Sequence, residues 1–312
     1  NSGVEVRVMY DDMGCLPLLP ENYQKYLESL NIKCVVFNKL KMFKGIFMNN
    51  RDHRKITVID GNIAYTGGLN LSDEYINKKI KYGYWKDNAI KLQGNSVWNL
   101  TIMFLSLWNS YKKEDKDYLK FKTTDNLKAK PNGYLSAYAS VPINGVLEGE
   151  DVYLNIINKA TKYVYIITPY LIIDTDMINS FILAFKRGVD VRIVIPGIPD
   201  KKIVYDLTMS YVKNLVDAGI KVYTYTPGFV HSKIFVSDDN KATVGTINLD
   251  YRSLYLHFEN GVYLEDVKEI EDILNDVNNI LTESHLLTKK ETNYNIFRKV
   301  WQSILRFFAP LF

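Results

Sequence analysis

Cysteine is scarce, with Cys15 and Cys34 the two in 312 residues. They could close at most one bridge, which excludes a disulfide scaffold and leaves nothing resembling a zinc site. Long apolar runs are also missing. The longest, residues 163–173 and 100–108, stop well short of the roughly 18–20 residues that a bilayer crossing needs. The opening residues contain no initiator methionine and none of the charged-then-apolar order of a secretion signal. A dominant charge is lacking too. The balance of 39 basic against 35 acidic side chains gives +4, which fits an anionic partner but is too small to argue for nucleic acid by itself.

What is present is a globular chain. A hydrophobic fraction of 47% with 24% charged residues excludes disorder and collagen-like repeats. The length suits roughly two domains of about 150 residues, enough to bury a large core without covalent staples.

The chain repeats itself. His53-Arg54-Lys55 followed by Asp60 recurs as His231-Ser232-Lys233 followed by Asp238, both at a spacing of 178 residues. Gly67-Gly68-Leu69-Asn70 matches Gly245-Thr246-Ile247-Asn248 at the same spacing. Upstream, Gly3-Val4-Glu5-Val6-Arg7 matches Gly188-Val189-Asp190-Val191-Arg192 at 185 residues. Ordered landmarks at a near-constant offset indicate two tandem copies of one domain.

The second copy gives the plan. Apolar spacing predicts helices over 152–160, 177–185 and 212–218, the last two ended by Gly188 and Gly219. β-rich runs predict strands over 163–168, 189–195, 222–225, 233–237 and 242–245, the last pair joined by the turn residues Asp238-Asp239-Asn240. The alternation argues for an α/β fold with a mixed or parallel sheet and helices on both faces. The first copy lacks a counterpart of 163–185 and is expected to have lost its first strand and helix ahead of Asn1. Domains are expected over 1–130 and 131–290, with a separate helix over 291–312.

Each copy supplies His-x-Lys with an Asn 17 residues beyond the histidine. In extended chain, residues two apart share a face, and a strand–turn–strand return brings the Asn back beside them. Two such halves about a pseudo-twofold axis would place two His, two Lys and two Asn around one pocket. That set suits a phosphodiester: lysines and amides hold the non-bridging oxygens, one imidazole attacks phosphorus, and the other protonates the leaving alkoxide. The lysines neutralise charge, so no metal and no cofactor are expected. The nucleophile's far nitrogen needs an acceptor, and the candidates are Glu259, 28 residues past His231, and Asp87, 34 past His53. Asp60 and Asp238 stand at strand-to-turn junctions, where aspartate caps turns more often than it does chemistry. His257 and His285 have no counterpart in the first copy and read as packing or surface residues.

Two His-x-Lys-x4-Asp motifs resemble the signature of the phospholipase D superfamily over nearly the whole chain. The stretch from His53 to Asn70 with Asp73-Glu74-Tyr75, and that from Gly245 to Glu259, resemble the bacterial cardiolipin synthases closely. So do Tyr84-Trp85-Lys86-Asp87, Thr168-Pro169-Tyr170, Pro199-Asp200-Lys201-Lys202 and Pro227-Gly228-Phe229. The resemblance implies two phospholipase D-like domains sharing one site, with His53, Lys55, Asp60, His231, Lys233 and Asp238 in the catalytic motifs. It further implies Asn70, Asn248 and Thr246 on phosphate, with Gly68 in the place of Thr246 in the first copy. The implied activity moves a phosphatidyl group between two phosphatidylglycerol molecules through a phosphohistidine, giving cardiolipin and glycerol. A hydrolytic phospholipase D and a superfamily nuclease are the alternatives, and a nucleic-acid partner is not expected. The family usually carries two transmembrane helices before its catalytic part, which places the activity at the bacterial cell membrane, on its cytoplasmic face.

The C-terminal stretch 292–312 is amphipathic. Ile296, Phe297, Val300, Trp301, Ile304, Leu305 and Phe308 share one helical face, while Asn295, Arg298, Lys299, Gln302 and Arg306 take the other. Aromatic residues opposite a basic face predict a helix lying on an anionic membrane surface; a helix docked on its own core is the competing reading.

Overall fold

The computed structural model describes residues 2–16, 18–40, 49–123 and 133–312. The expected domain boundary at 130/131 lies outside the described residues. In chain order the strands are β1 (Arg7–Asp11), β2 (Lys33–Phe37), β3 (Ile56–Ile59), β4 (Ile63–Gly67), β5 (Tyr84–Lys86), β6 (Ala89–Gln93), β7 (Tyr134–Ser140) and β8 (Tyr163–Ile167). They continue as β9 (Asp190–Pro196), β10 (Lys221–Tyr225), β11 (Gly228–Val230), β12 (Ile234–Ser237), β13 (Lys241–Gly245), β14 (Glu259–Glu265) and β15 (Ser284–Leu286). The helices are α1 (Asp12–Cys15), α2 (Tyr23–Ser29), α3 (Val97–Lys112), α4 (Glu148–Lys159), α5 (Thr175–Lys186), α6 (Lys202–Asp217), α7 (Glu269–Thr282) and α8 (Ile296–Phe307).

The second half is built on a mixed eight-stranded sheet in the order β15-β10-β9-β8-β12-β13-β14-β7. β8, β9 and β10 run parallel, and β12, β13, β14 and β7 continue antiparallel. Pleating divides the apolar strand residues between two cores. Val164, Ile166, Val191, Ile193 and Phe235 face α4, α5 and α6; Ile167, Val194, Ile234 and Val236 face α3 and α7. Helices therefore cover both faces, as the near-continuous apolar strands require. α6 begins at Lys202, well ahead of the helix expected over 212–218. No side chain caps its N-terminus, so the sequence carries no start signal there.

The first half repeats part of this arrangement. β1 and β2 are parallel, and β3, β4 and β6 form an antiparallel sheet. Ala64 of β4 and Leu92 of β6 share a core with Val244 and Val262 of the large sheet. Beside them Asn260 donates to Thr66 at 2.8 Å, fully buried. Two further backbone pairings join the halves: β5 lies parallel to β11, and Asp52 bridges to Phe258.

α8 forms where a C-terminal helix was expected, with Asn295 capping its start. Its orientation corrects the expectation. Arg298 pairs with Asp206 of α6 at 2.6 Å, Gln302 donates to the Asp206 carbonyl, and Arg306 lies on Ser210 and the Tyr211 ring. The basic face is thus turned toward the protein, and Leu305 with Ala309 joins the core.

Candidate active site

Both histidines follow an inter-half backbone bond. The His53 N–H donates to the Phe258 carbonyl at 3.0 Å, and the His231 N–H to the Lys86 carbonyl at 2.7 Å. The residue after each acceptor is a carboxylate, and its side chain meets the imidazole across the junction. Glu259 Oε1 lies 2.8 Å from His53 Nδ1, and Asp87 Oδ2 lies 2.7 Å from His231 Nδ1. The sequence reading assigned each carboxylate to the histidine of its own half; the structure pairs them crosswise. The reason is the pairing of β5 with β11 and of Asp52 with Phe258, which sequence spacing cannot reveal.

The lysines sit at the mouths of β3 and β12. Lys55 Nζ donates to the His53 carbonyl at 2.6 Å, and Lys233 Nζ lies 2.9 Å from His231 Nδ1 while also bonding the His231 carbonyl. Asn70 and Asn248 close β4 and β13. Asn70 donates to the Tyr75 hydroxyl at 2.5 Å, and Asn248 Oδ1 is buried with no hydrogen-bond partner among the described residues.

At three residues the structure differs from what the resemblance implies, and for Asp60 and Asp238 it agrees with their reading as turn residues. The Thr246 hydroxyl is spent on Glu259 and on Asn260, so it holds the carboxylate and does not face a phosphate. Asp238 accepts from the Thr161 and Lys162 backbone N–H groups, the Thr161 hydroxyl and the Tyr163 N–H, fastening the start of β8 at the turn. Asp60 is exposed at the matching turn with φ of 51°. Neither aspartate reaches the histidines, because a strand separates each from its motif.

The Gly68 position explains the difference between the halves. A Cβ there would stand 2.1 Å from Asp87 Oδ1 and 2.9 Å from the His231 carbonyl. Asp87 is one methylene shorter than Glu259 and comes up against the bare backbone of Gly68. Glu259 reaches from further away and is held by the hydroxyls of Thr246 and, at 2.5 Å, Ser253. Asp with Gly in one half, and Glu with Thr in the other, are two solutions of one geometry.

Burial and charge set the protonation states. Burial, then the neighbouring Lys55 and Lys233, hold His53 well below the usual imidazole range. Burial and Lys233 bring His231 to about 4, against the opposing pull of Asp87. Burial lowers Lys233 to about 7 and Lys55 to about 8. Burial raises Glu259, while Asp87 is lowered because its contacts with His231, Lys233 and the Asn88 N–H outweigh burial. Neutral imidazoles beside lysines of lowered basicity form a site suited to an anion, whose charge would raise the lysines back toward full protonation.

Sequence reasoning missed two parts of the site. The His231 ring stands among Tyr75 (5.2 Å between centroids), Trp85 (5.4 Å) and Phe229 (5.9 Å), residues that carried the family resemblance without an assigned role. His257, read as a packing residue, lies 5.8 Å from the His53 ring, with Nδ1 3.8 Å from Glu259 Oε1. Its position two before Glu259 in extended chain was the signal that could have found it. His285 is on the surface, paired with Glu291. His53, His257 and Glu259 bring ligand atoms within 4.8 Å of one another, a grouping from both halves that spacing does not show. Glu259 is already engaged by Ser253, Thr246 and His53, and Arg252 Nε faces His257 Nε2 at 3.4 Å. Glu259 is thus the hydrogen-bond acceptor of His53, while His257 stands beside the pair and bonds neither of them.

Among the described residues no helix is long and apolar enough to cross a membrane. Residues 153–281 match the family model described as cardiolipin synthase, phospholipase D-like domain. The chain is 46% identical over 310 residues to an uncharacterised protein of Streptococcus mutans, covering 99% of this chain and 67% of that protein. It is 36% identical to cardiolipin synthase 1 of Staphylococcus aureus and 34% to a cardiolipin synthase of Alkalihalophilus pseudofirmus, covering 99% of this chain and 63% and 62% of those proteins. The chain thus spans about two thirds of the length of these relatives. Its fold is similar to that of phosphatidylserine synthase from Haemophilus influenzae, with a TM-score of 0.68 at 17% identity over 98% of this chain and 80% of that one. Full-chain similarity at this level, together with the duplicated His-x-Lys motifs, identifies the chain as a member of the cardiolipin synthase family within the phospholipase D superfamily.

Proposed function

We propose that the chain is the catalytic part of a cardiolipin synthase, two tandem phospholipase D-like domains that transfer a phosphatidyl group between two phosphatidylglycerol molecules. The observation that carries this reading is the pair of cross-held imidazoles, each with its own lysine, around one site. His53 is the nucleophile, because its ring is 25% exposed where that of His231 is 7%. Its free nitrogen attacks phosphorus, the phosphorus–glycerol oxygen bond breaks, and His231 gives its proton to the departing glycerol alkoxide. Glu259 balances the cationic phosphohistidine so formed. The terminal hydroxyl of a second phosphatidylglycerol then attacks the same phosphorus and passes its proton to His231. The phosphorus–nitrogen bond breaks, releasing cardiolipin and neutral His53. Lys55, Lys233, Asn70 and Asn248 hold the non-bridging oxygens throughout.

His231 must carry a proton in the first step although it is held near 4 in the free site. A bound phosphodiester screens the Lys233 charge that keeps it there, so proton uptake accompanies binding. The reaction belongs at a bacterial membrane, on its cytoplasmic face, with phosphatidylglycerol as donor and acceptor. Incubation with phosphatidylglycerol vesicles should give cardiolipin and an equal amount of free glycerol by chromatography. Phosphatidic acid in place of cardiolipin would mean hydrolysis and replace the transfer reading, and formation of neither lipid would overturn it.

A further inference from the structure

We infer that α8 inserts its apolar face into a phospholipid bilayer while its basic face holds it to the protein. The inference rests on the reading of the substrate as a membrane phospholipid. Phe297, Val300, Trp301, Ile304, Phe307 and Leu311 recur at helical spacing and are all exposed, Phe297 by 83% and Phe307 by 82%. An ordinary surface helix buries its apolar stripe and offers its charges to water. Here the order is reversed. Arg298 is fixed by Asp206, Arg306 by Ser210 and Tyr211, and Gln302 by the Asp206 carbonyl, so the polar side is the docked side. A face of this size, aromatic-rich and without a charged side chain, is a contact surface.

The occupant follows from the chemistry of the substrate. A diacyl phospholipid does not leave its membrane, so a protein that works on its headgroup has to lie against the bilayer. α8 lies along α6, and the lead-in to α6, residues 199–201, lines a recess with Tyr170 and Phe229. Phe229 in turn packs on Trp85 at 4.8 Å and on His231. The helix is therefore coupled through α6 to the aromatic wall of the site. Phenylalanine and tryptophan on a helix lying in the membrane plane suit the boundary between headgroups and acyl chains. Because Arg298 and Arg306 are engaged by the protein, attachment is apolar in origin. This departs from electrostatic attachment through the basic face.

The test uses the full chain with vesicles of phosphatidylglycerol and of phosphatidylcholine. The variant Phe297→Glu with Trp301→Glu should lower partitioning to both on the order of a hundredfold, as for the loss of two buried aromatic side chains. About 0.5 M salt, which collapses the Debye length, should change the binding of the unmodified chain little. Brominated acyl chains should quench a component of tryptophan emission that Trp301→Phe removes. Turnover of a short-chain phosphatidylglycerol below its micelle concentration should be the same in both proteins. Unchanged partitioning of the variant, release of the unmodified chain by salt, or absence of Trp301 quenching would each overturn the inference. So would a dimer that the variant breaks while vesicle binding stays intact, since the face would then belong to a second copy. Absence of cardiolipin synthesis with vesicle binding and quenching intact would instead remove the functional reading and leave the helix assignment standing.

Discussion

Replacing Glu259 by Gln keeps the shape of the side chain and removes its charge from beneath His53. Glu259 is fully buried and lies 2.8 Å from the His53 Nδ1, with Ser253 and Thr246 on its remaining lone pairs. When His53 carries the phosphoryl group its ring is cationic. At about 4 Å between charge centres and an effective dielectric near 20, the attraction is roughly 4 kcal/mol. The amide oxygen retains part of this as a hydrogen bond, so the net loss should be about 2–4 kcal/mol, or roughly 30- to 1000-fold in kcat. KM for phosphatidylglycerol should change little, because the side chain has no exposed atom to offer a lipid. The assay is cardiolipin formation over a range of substrate concentrations, paired with nitrogen NMR of the histidine rings. The resonances of His53 should shift and those of His231 should stay. A loss confined to KM, or a shift of His231 with His53 unmoved, would refute the crosswise pairing on which the estimate rests.

Gly68→Ala should lower kcat at least about tenfold by pushing Asp87 off His231, since its Cβ would stand 2.1 Å from the carboxylate. Unchanged kcat in Gly68→Ala, with the His231 ring resonances unmoved, would count against this account. Lys233→Met should abolish turnover and yet raise thermal stability by about 1–3 kcal/mol, because a cation buried to 1% exposure is costly. The sign follows from linkage. With Lys233 lowered to about 7, the unfolded chain binds the extra proton between pH 7 and about 10.5, so stability rises with pH across that window, and the variant should lose this slope in urea titrations. Its His231 should also titrate above the value near 4, because Lys233 is a cause of the depression. Asp238→Ala should cost about 1–3 kcal/mol in urea unfolding through the lost N–H partners at the start of β8. Its kcat should be unchanged; a large fall in kcat with stability intact would return this aspartate to the chemistry.

The amino-acid sequence by itself determined the local facts. Apolar periodicity located β8, β9, β10, β12 and β13 and the helices α4 and α5, because strand and helix spacings are short-range properties of the chain. Duplication at a constant offset singled out His53, Lys55, Asn70, His231, Lys233 and Asn248, and the need of an imidazole for an acceptor pointed to Asp87 and Glu259. Tertiary structure alone decided how these meet. Which carboxylate serves which histidine depends on β5 lying beside β11 and on Asp52 lying beside Phe258, contacts between residues more than a hundred positions apart. The role of Thr246 under Glu259, the clash that requires Gly68, and the place of His257 beside His53 depend on the same junction. Helical spacing likewise gave the two faces of α8, and packing on Asp206 and Ser210 decided which of them turns outward. Periodicity records that a chain has two unlike faces. Which one meets the protein is settled by partners that lie elsewhere in the sequence.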